Sequence, residues 1–187
     1  MPEINRRASK VIYENPWLRL RVDDVEYPDG TSGIYSVIEK ADFAVVLPAE
    51  RGGFWLVEQY RYPIGRRCWE FPQGAWPAGR SGTALELAQH ELREETGHTA
   101  AVWRHLGRLF TAAGYSDQAY DVFVATELVA GPPDREPTEQ GMVHRWFAEA
   151  DVRAMIASGE LSDAHSVAAL ALLAQSPAIP GDSPGRQ

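Results

Sequence analysis

Residues 83–97 constrain this chain more than any other stretch, and they end His90-Glu91-Leu92-Arg93-Glu94-Glu95-Thr96-Gly97. Thr83 suits a helix N-cap and Gly97 suits the left-handed position that closes a helix, so the spacing predicts one helix over 83–96. At ~100° per residue, Leu85, Ala88 and Leu92 share a stripe, and Glu91, Glu94 and Glu95 gather beside it. Like charges at these spacings repel, each pair costing an isolated helix about a few tenths of a kcal/mol. On the helix alone two readings stand. One is a solvated acidic face. The other is a set of oxygen ligands for a hard divalent cation, which removes the repulsion.

The neighbourhood of the helix separates them. An apolar strand, Glu70-Phe71-Pro72-Gln73-Gly74, leads into a loop over 74–82 broken by glycines and Pro77, and the helix follows. This order resembles the Nudix box, G-x5-E-x7-R-E-U-x-E-E-x-G-U with U a bulky apolar residue. That box marks a superfamily of hydrolases that cut nucleoside diphosphates linked to another group. Glu91, Leu92, Glu94, Glu95 and Gly97 match its metal-binding half. The pattern's Arg falls on His90, its earlier Glu on Gly82 and its last apolar position on His98, and the loop is two residues longer than the pattern. In the family the missing Glu and Arg pair mainly with each other. Losing both leaves no orphaned buried charge. Glu86, one turn before His90, is expected to replace part of that contact.

Further residues resemble the ADP-ribose pyrophosphatase branch of the superfamily. Gln59-Tyr60-Arg61 and Trp69-Glu70-Phe71-Pro72 are similar to the branch's Q-x-R and W-E-x-P, where the Arg and Glu line the substrate cleft. An Arg there can hold a phosphate or stack on a base, and the Glu can accept from an adenine or ribose donor; alternatively the two pair with each other. The resemblance implies Arg61, Glu70, Gly74 and Gln118 as substrate-binding positions. It implies Mg²⁺, with Mn²⁺ as a substitute, held by Glu91, Glu94 and Glu95 with the backbone carbonyl of Gln73, Glu95 being catalytic as well. ADP-ribose-cutting members usually carry a proline before Gly114 and often a Glu near position 118, where this chain has Ala113 and Gln118. A neutral Gln is no base, so the base comes from elsewhere. In the resembling branch an acidic loop at this distance past the box supplies that base, which implies Glu139 first and Glu136 second in the loop over 131–141. The implied reaction is hydrolysis of ADP-ribose to AMP and ribose 5-phosphate. The alternatives are another nucleotide sugar or dinucleotide coenzyme, or a non-catalytic nucleotide-binding Nudix domain. Trp17, Tyr35 and Tyr115 are all open as stacking partners for the base.

The rest of the chain sets the expected architecture. Residues 1 to about 10 read as polar and loose, and period-two patterning from Val11 to Ile38 reads as a small antiparallel unit. Apolar runs at 43–47 and 54–60 flank a Gly52-Gly53 turn and read as a buried hairpin. Strands follow at 103–110, 119–128 and 143–147, with helices at 150–158 and 162–174. The implied fold class is α/β: a Nudix α/β/α sandwich with a mixed sheet, preceded by an N-terminal antiparallel strand layer. We expect that layer at 1–40, the main domain at 41–175 and a disordered tail at 176–187. In the resembling branch the strand layer builds a homodimer and part of the cleft. With 18 basic against 26 acidic side chains, the net charge of −8 argues against nucleic-acid binding. Cys68 stands alone, which excludes an internal disulfide and reads as a small buried apolar residue. No apolar run suggests a leader or a membrane span, so the expected compartment is the cytoplasm.

Overall fold

Successive side chains of a strand point to opposite faces, so the apolar run at 43–47 needs cover on both sides. The computed structural model, which describes residues 3–135, 139 and 141–176, supplies it. The first three strands are β1 (Asn5–Asn15), β2 (Leu18–Glu26) and β3 (Ser32–Glu39). They form an antiparallel sheet of their own, in that order. There follow β4 (Phe43–Glu50), β5 (Gly53–Arg61), a 3₁₀ turn at Tyr62–Ile64, β6 (Arg66–Glu70), β7 (Gln73–Gly74) and helix α1 (Ala84–Thr96). The chain closes with β8 (Thr99–Phe110), β9 (Ala119–Val129), β10 (Val143–Ala148), α2 (Glu149–Ser158) and α3 (Ala164–Gln175).

The second sheet runs β10-β5-β4-β9-β8, with β6 on β5 and β7 on β4. It is mixed, because β4 and β9 pair in parallel while their other partners run antiparallel. Phe43, Val45 and Leu47 of β4 face α2 and α3, meeting Val152, Met155 and Ala169 in one apolar cluster. Ala44 and Val46 face α1, meeting Leu87, Ala88 and Leu92 in another. The helices therefore lie on both faces of the sheet, and the sandwich expected from the sequence is present. The N-terminal sheet is hydrogen-bonded to this body where Ile38 N–H donates to Tyr115 O and Ser116 Oγ donates to Ile38 O.

Three local expectations are corrected. The first strand begins at Asn5 rather than near residue 11, because its pairing with β2 is made by the backbone and needs no apolar side chains. Leu85 is exposed and Leu87 takes the buried position, since the face pressed on β4 is centred between Ala88 and Leu92. The Glu70–Gly74 segment is two strands, not one: the pairing leaves β5 at Glu70 and resumes on β4 at Gln73, on either side of Phe71-Pro72. Of the tail expected at 176–187, Ser176 caps α3 and the remainder lies outside the described residues.

Candidate active site

Helix α1 is set by its ends. Thr83 Oγ1 accepts from the Glu86 N–H while the Glu86 carboxylate accepts from the Thr83 N–H at 2.7 Å, a reciprocal capping box. Gly97 closes the helix at φ 78°, and a Cβ there would also strike Gly131 O. Glu86 is thereby committed to the cap, so it does not replace the lost contact to His90. Arg80 does, its Nη1 lying 3.0 Å from His90 Nε2.

The three glutamates of the helix face are buried, not solvated. Glu95 Oε2 accepts from the Gln73 N–H at 3.1 Å. Glu91 lies so close to β7 that a Cβ on Gly74 would come within 2.4 Å of its carboxylate. Only a glycine lets the backbone approach that charge. Glu94 Oε2 is 2.9 Å from His90 Nδ1. Burial, joined by the charges of Glu91, Glu139 and Glu70, pushes the Glu95 carboxyl well above its ordinary range, and the Gln73 N–H offsets only part of this.

That crowding tests whether a divalent cation fits. The donors are hard oxygens on one buried face, and their mutual repulsion is what a cation would relieve. The carboxylates are gathered but not closed on one point: among the described residues, no three His, Cys, Asp or Glu side chains already form a metal cage. The residues suit the group.

The helix face adjoins a cleft of about 850 Å³, within the usual range for small-molecule sites. Its lining runs from Trp17 through Glu70, Gln73 and Trp76 to Asp163 and His165. Arg61 and Glu70 both line it and pair with each other, Arg61 Nη2 donating to Glu70 Oε1 at 2.6 Å beside Gln59 Nε2 at 2.7 Å. Burial pushes the Glu70 carboxyl up, and Arg61 offsets part of that. Gln118 also lines the cleft, but its Nε2 donates to Ala41 O at 2.6 Å. Of the three aromatics open for stacking, Trp17 borders the cleft with 76% of its surface exposed, whereas Tyr35 and Tyr115 are not among the lining residues.

Glu139 acts electrostatically on Glu95, and its backbone carbonyl accepts from the Met142 N–H at 3.0 Å. Glu136 lies outside the described residues. Arg135 anchors this loop to the helix: Nε and Nη2 donate to the Glu95 carbonyl at 3.0 and 2.9 Å, and Nη1 donates to the Met142 carbonyl.

Sequence reasoning missed Arg135, Asp163 and His165. Asp163 caps α3 and also accepts from Gln73 Nε2 at 3.0 Å, so it ties that helix to the strand beneath the glutamates. Burial alone would raise its carboxyl. Hydrogen bonds from His165 and Ser166 outweigh burial and hold it far below the usual range. An Asp before an apolar helical run is a legible cap signal. Nothing local says that the cap faces a cleft.

Known proteins resemble this chain in sequence and fold. Residues 4–38 match the nucleoside diphosphate sugar hydrolase N-terminal domain, and residues 39–170 match the NUDIX domain. The chain is 32% identical over 163 residues to an ADP-ribose pyrophosphatase of Mycobacterium tuberculosis (strain ATCC 25618 / H37Rv), covering 86% of this chain and 78% of that protein. It is 29% identical over 168 residues to the ADP-ribose pyrophosphatase of Bacillus subtilis (strain 168), covering 89% and 90%. A solved ADP compounds hydrolase superposes with a TM-score of 0.80 over 94% of both chains at 19% identity, a likeness of fold.

Proposed function

We propose a specific reaction on the premise that this chain belongs to the Nudix hydrolase family and is a pyrophosphohydrolase of nucleoside diphosphate derivatives. The substrate is ADP-ribose, and the products are AMP and ribose 5-phosphate. The observation that carries this reading is the buried, mutually repelling set Glu70, Glu91, Glu95 and Glu139 beside a nucleotide-sized cleft. The relatives in M. tuberculosis and B. subtilis support the choice of ADP-ribose.

Glu91, Glu94 and Glu95, with the Gln73 carbonyl, would hold Mg²⁺ or Mn²⁺. A bound cation of this kind neutralises charge on diphosphate oxygens and lowers the pKa of water. Arg61 engages Glu70 through Nε and Nη2, which leaves the donors of Nη1 for a phosphate oxygen. Trp17 stacks the adenine, and Glu70 and Gln118 flank it. Glu139 takes the proton of the attacking water as the bond from phosphorus to the bridging oxygen breaks. Glu136 is the second choice for that role.

A homodimer accompanies this reading, built on the N-terminal sheet. That sheet exposes Val11, Ile12, Tyr13, Ile34 and Tyr35, apolar side chains that a second copy would cover.

The test is AMP release from a panel of ADP-ribose, nucleotide sugars, NADH and dinucleoside polyphosphates, with Mg²⁺, Mn²⁺ or EDTA. ADP-ribose is expected to turn over fastest, with loss of turnover in EDTA and in Glu95→Gln. Faster turnover of another diphosphate would replace the substrate. Full activity of Glu95→Gln would sink the site.

A further inference from the structure

The longer loop, Gly82 and His90 depart from the family's box, and in the structure they meet at one residue, Trp76. Its ring lies against Gly82, where a Cβ would come within 3.0 Å of Trp76 Cζ2 and of Glu86 Oε2. Any side chain at position 82 would press on the indole and on the Glu86 carboxylate. On its other sides Trp76 stands edge-on to His90, centroids 5.3 Å apart, and the Arg80 guanidinium sits 4.9 Å over the ring. Arg80 then reaches His90 Nε2 at 3.0 Å, and His90 Nδ1 lies 2.9 Å from Glu94 Oε2. Both Trp76 and Arg80 belong to the longer loop.

The chemistry of the contact assigns the proton. A guanidinium only donates, so His90 Nε2 must accept from Arg80. The imidazole hydrogen is then on Nδ1, the nitrogen that faces Glu94. His90 itself is confined by the Trp76 edge and is mostly buried.

We propose that His90, held by Arg80 and Trp76, is a positioning residue that fixes the Glu94 carboxylate for divalent-cation binding. It replaces the Arg–Glu pair missing from this box with an aromatic-backed chain, Arg80 to His90 to Glu94. The inference rests on the reading of Glu94 as a ligand. Partners of metal ligands typically change affinity by about 10–100-fold when removed.

The test is Mn²⁺ binding to the free protein, followed by electron paramagnetic resonance without substrate. His90→Ala is expected to weaken Mn²⁺ about 10-fold, within that range, while the KM for the diphosphate stays unchanged. His90→Gln, which keeps an acceptor for Arg80 and a donor for Glu94, is expected to recover most of the affinity. Arg80→Ala, a change at an exposed side chain, reads the same chain of contacts should His90→Ala fail to fold, and is expected to weaken Mn²⁺ less. Unchanged Mn²⁺ affinity in His90→Ala, or equal loss in His90→Gln, overturns the inference. Glu94→Gln is the separating control. If it leaves Mn²⁺ binding intact, the metal-site reading itself fails; if it weakens binding while His90→Ala does not, only the role of His90 fails.

Discussion

The N-terminal sheet and the α1 face are both dense in charge, and they treat it in opposite ways. On the sheet the ion pairs join acids to arginines: Arg7 meets Glu26 and Arg19 meets Glu14 at 2.6 Å in reach of water, and Arg21 meets the buried Asp23. On α1, Glu91, Glu94 and Glu95 are buried together, with Glu70 and Glu139 acting on Glu95 as further like charges. Two arginines beside this face engage other groups. Arg61 binds Glu70, and Arg135 binds the backbone carbonyl of Glu95 rather than its carboxylate. Water screens the first arrangement to little consequence, whereas burial amplifies the second. Charge that a fold leaves exposed is cheap and uninformative. Like charges that a fold gathers and buries mark a place where a cation would be favoured.

The contrast can be broken by substitution. The largest effect belongs to Glu139→Gln, which keeps the shape of the loop side chain and removes a base. We expect kcat to fall about 10²–10⁴-fold, with KM for the diphosphate changed little. A loss below tenfold in steady-state kinetics would return the role of base to Glu136.

A smaller effect concerns stability without metal. The Glu95 carboxyl is raised in the folded protein, so the folded state holds a proton that the unfolded state releases. The stabilising contribution is complete below the ordinary carboxylate range and is lost as pH rises toward the raised value. In EDTA, Tm is therefore expected to fall as pH rises above the ordinary carboxylate range, each ~1 kcal/mol appearing as about 2–4 °C. Glu95→Gln should flatten that slope, and added Mg²⁺ should restore the wild-type Tm at the upper end. A slope identical in both proteins, measured by thermal melts across pH, would remove Glu95 as its source.

The least effect is expected on the exposed sheet. Arg7→Ala should change stability by no more than about 0.5 kcal/mol and leave kcat untouched. A large loss of stability would mean that this pair sits inside an interface, and the dimer would then be the place to look.

Much of the site was legible before the fold was. Thr83 and Gly97 delimit α1 through local backbone chemistry, and spacing alone puts Glu91, Glu94 and Glu95 on one side of it. The strands from Phe43 to Val57 follow from unbroken apolar runs. What failed to read was of another kind. Leu85 and Leu87 are equally apolar, and only the position of β4 decides which is buried. Glu86 is spaced to meet His90, yet the cap takes it first. Arg61 and Glu70 could be read as ligand-binding or as a mutual pair, and they are both paired and in the cleft. Asp163, far along the chain, reaches Gln73 through a contact no window of sequence contains.

The sequence by itself determined the elements and the local geometry of the glutamates, because capping, periodicity and turn chemistry act within a few residues. The tertiary structure alone decided that those glutamates lose water, that Gly74 and Gln73 press against them and that Glu139 joins them. Desolvation and proximity between distant segments shift a charged group far more than its neighbours in sequence do, and both arise only when the sheet, the helix and the loops close on one another.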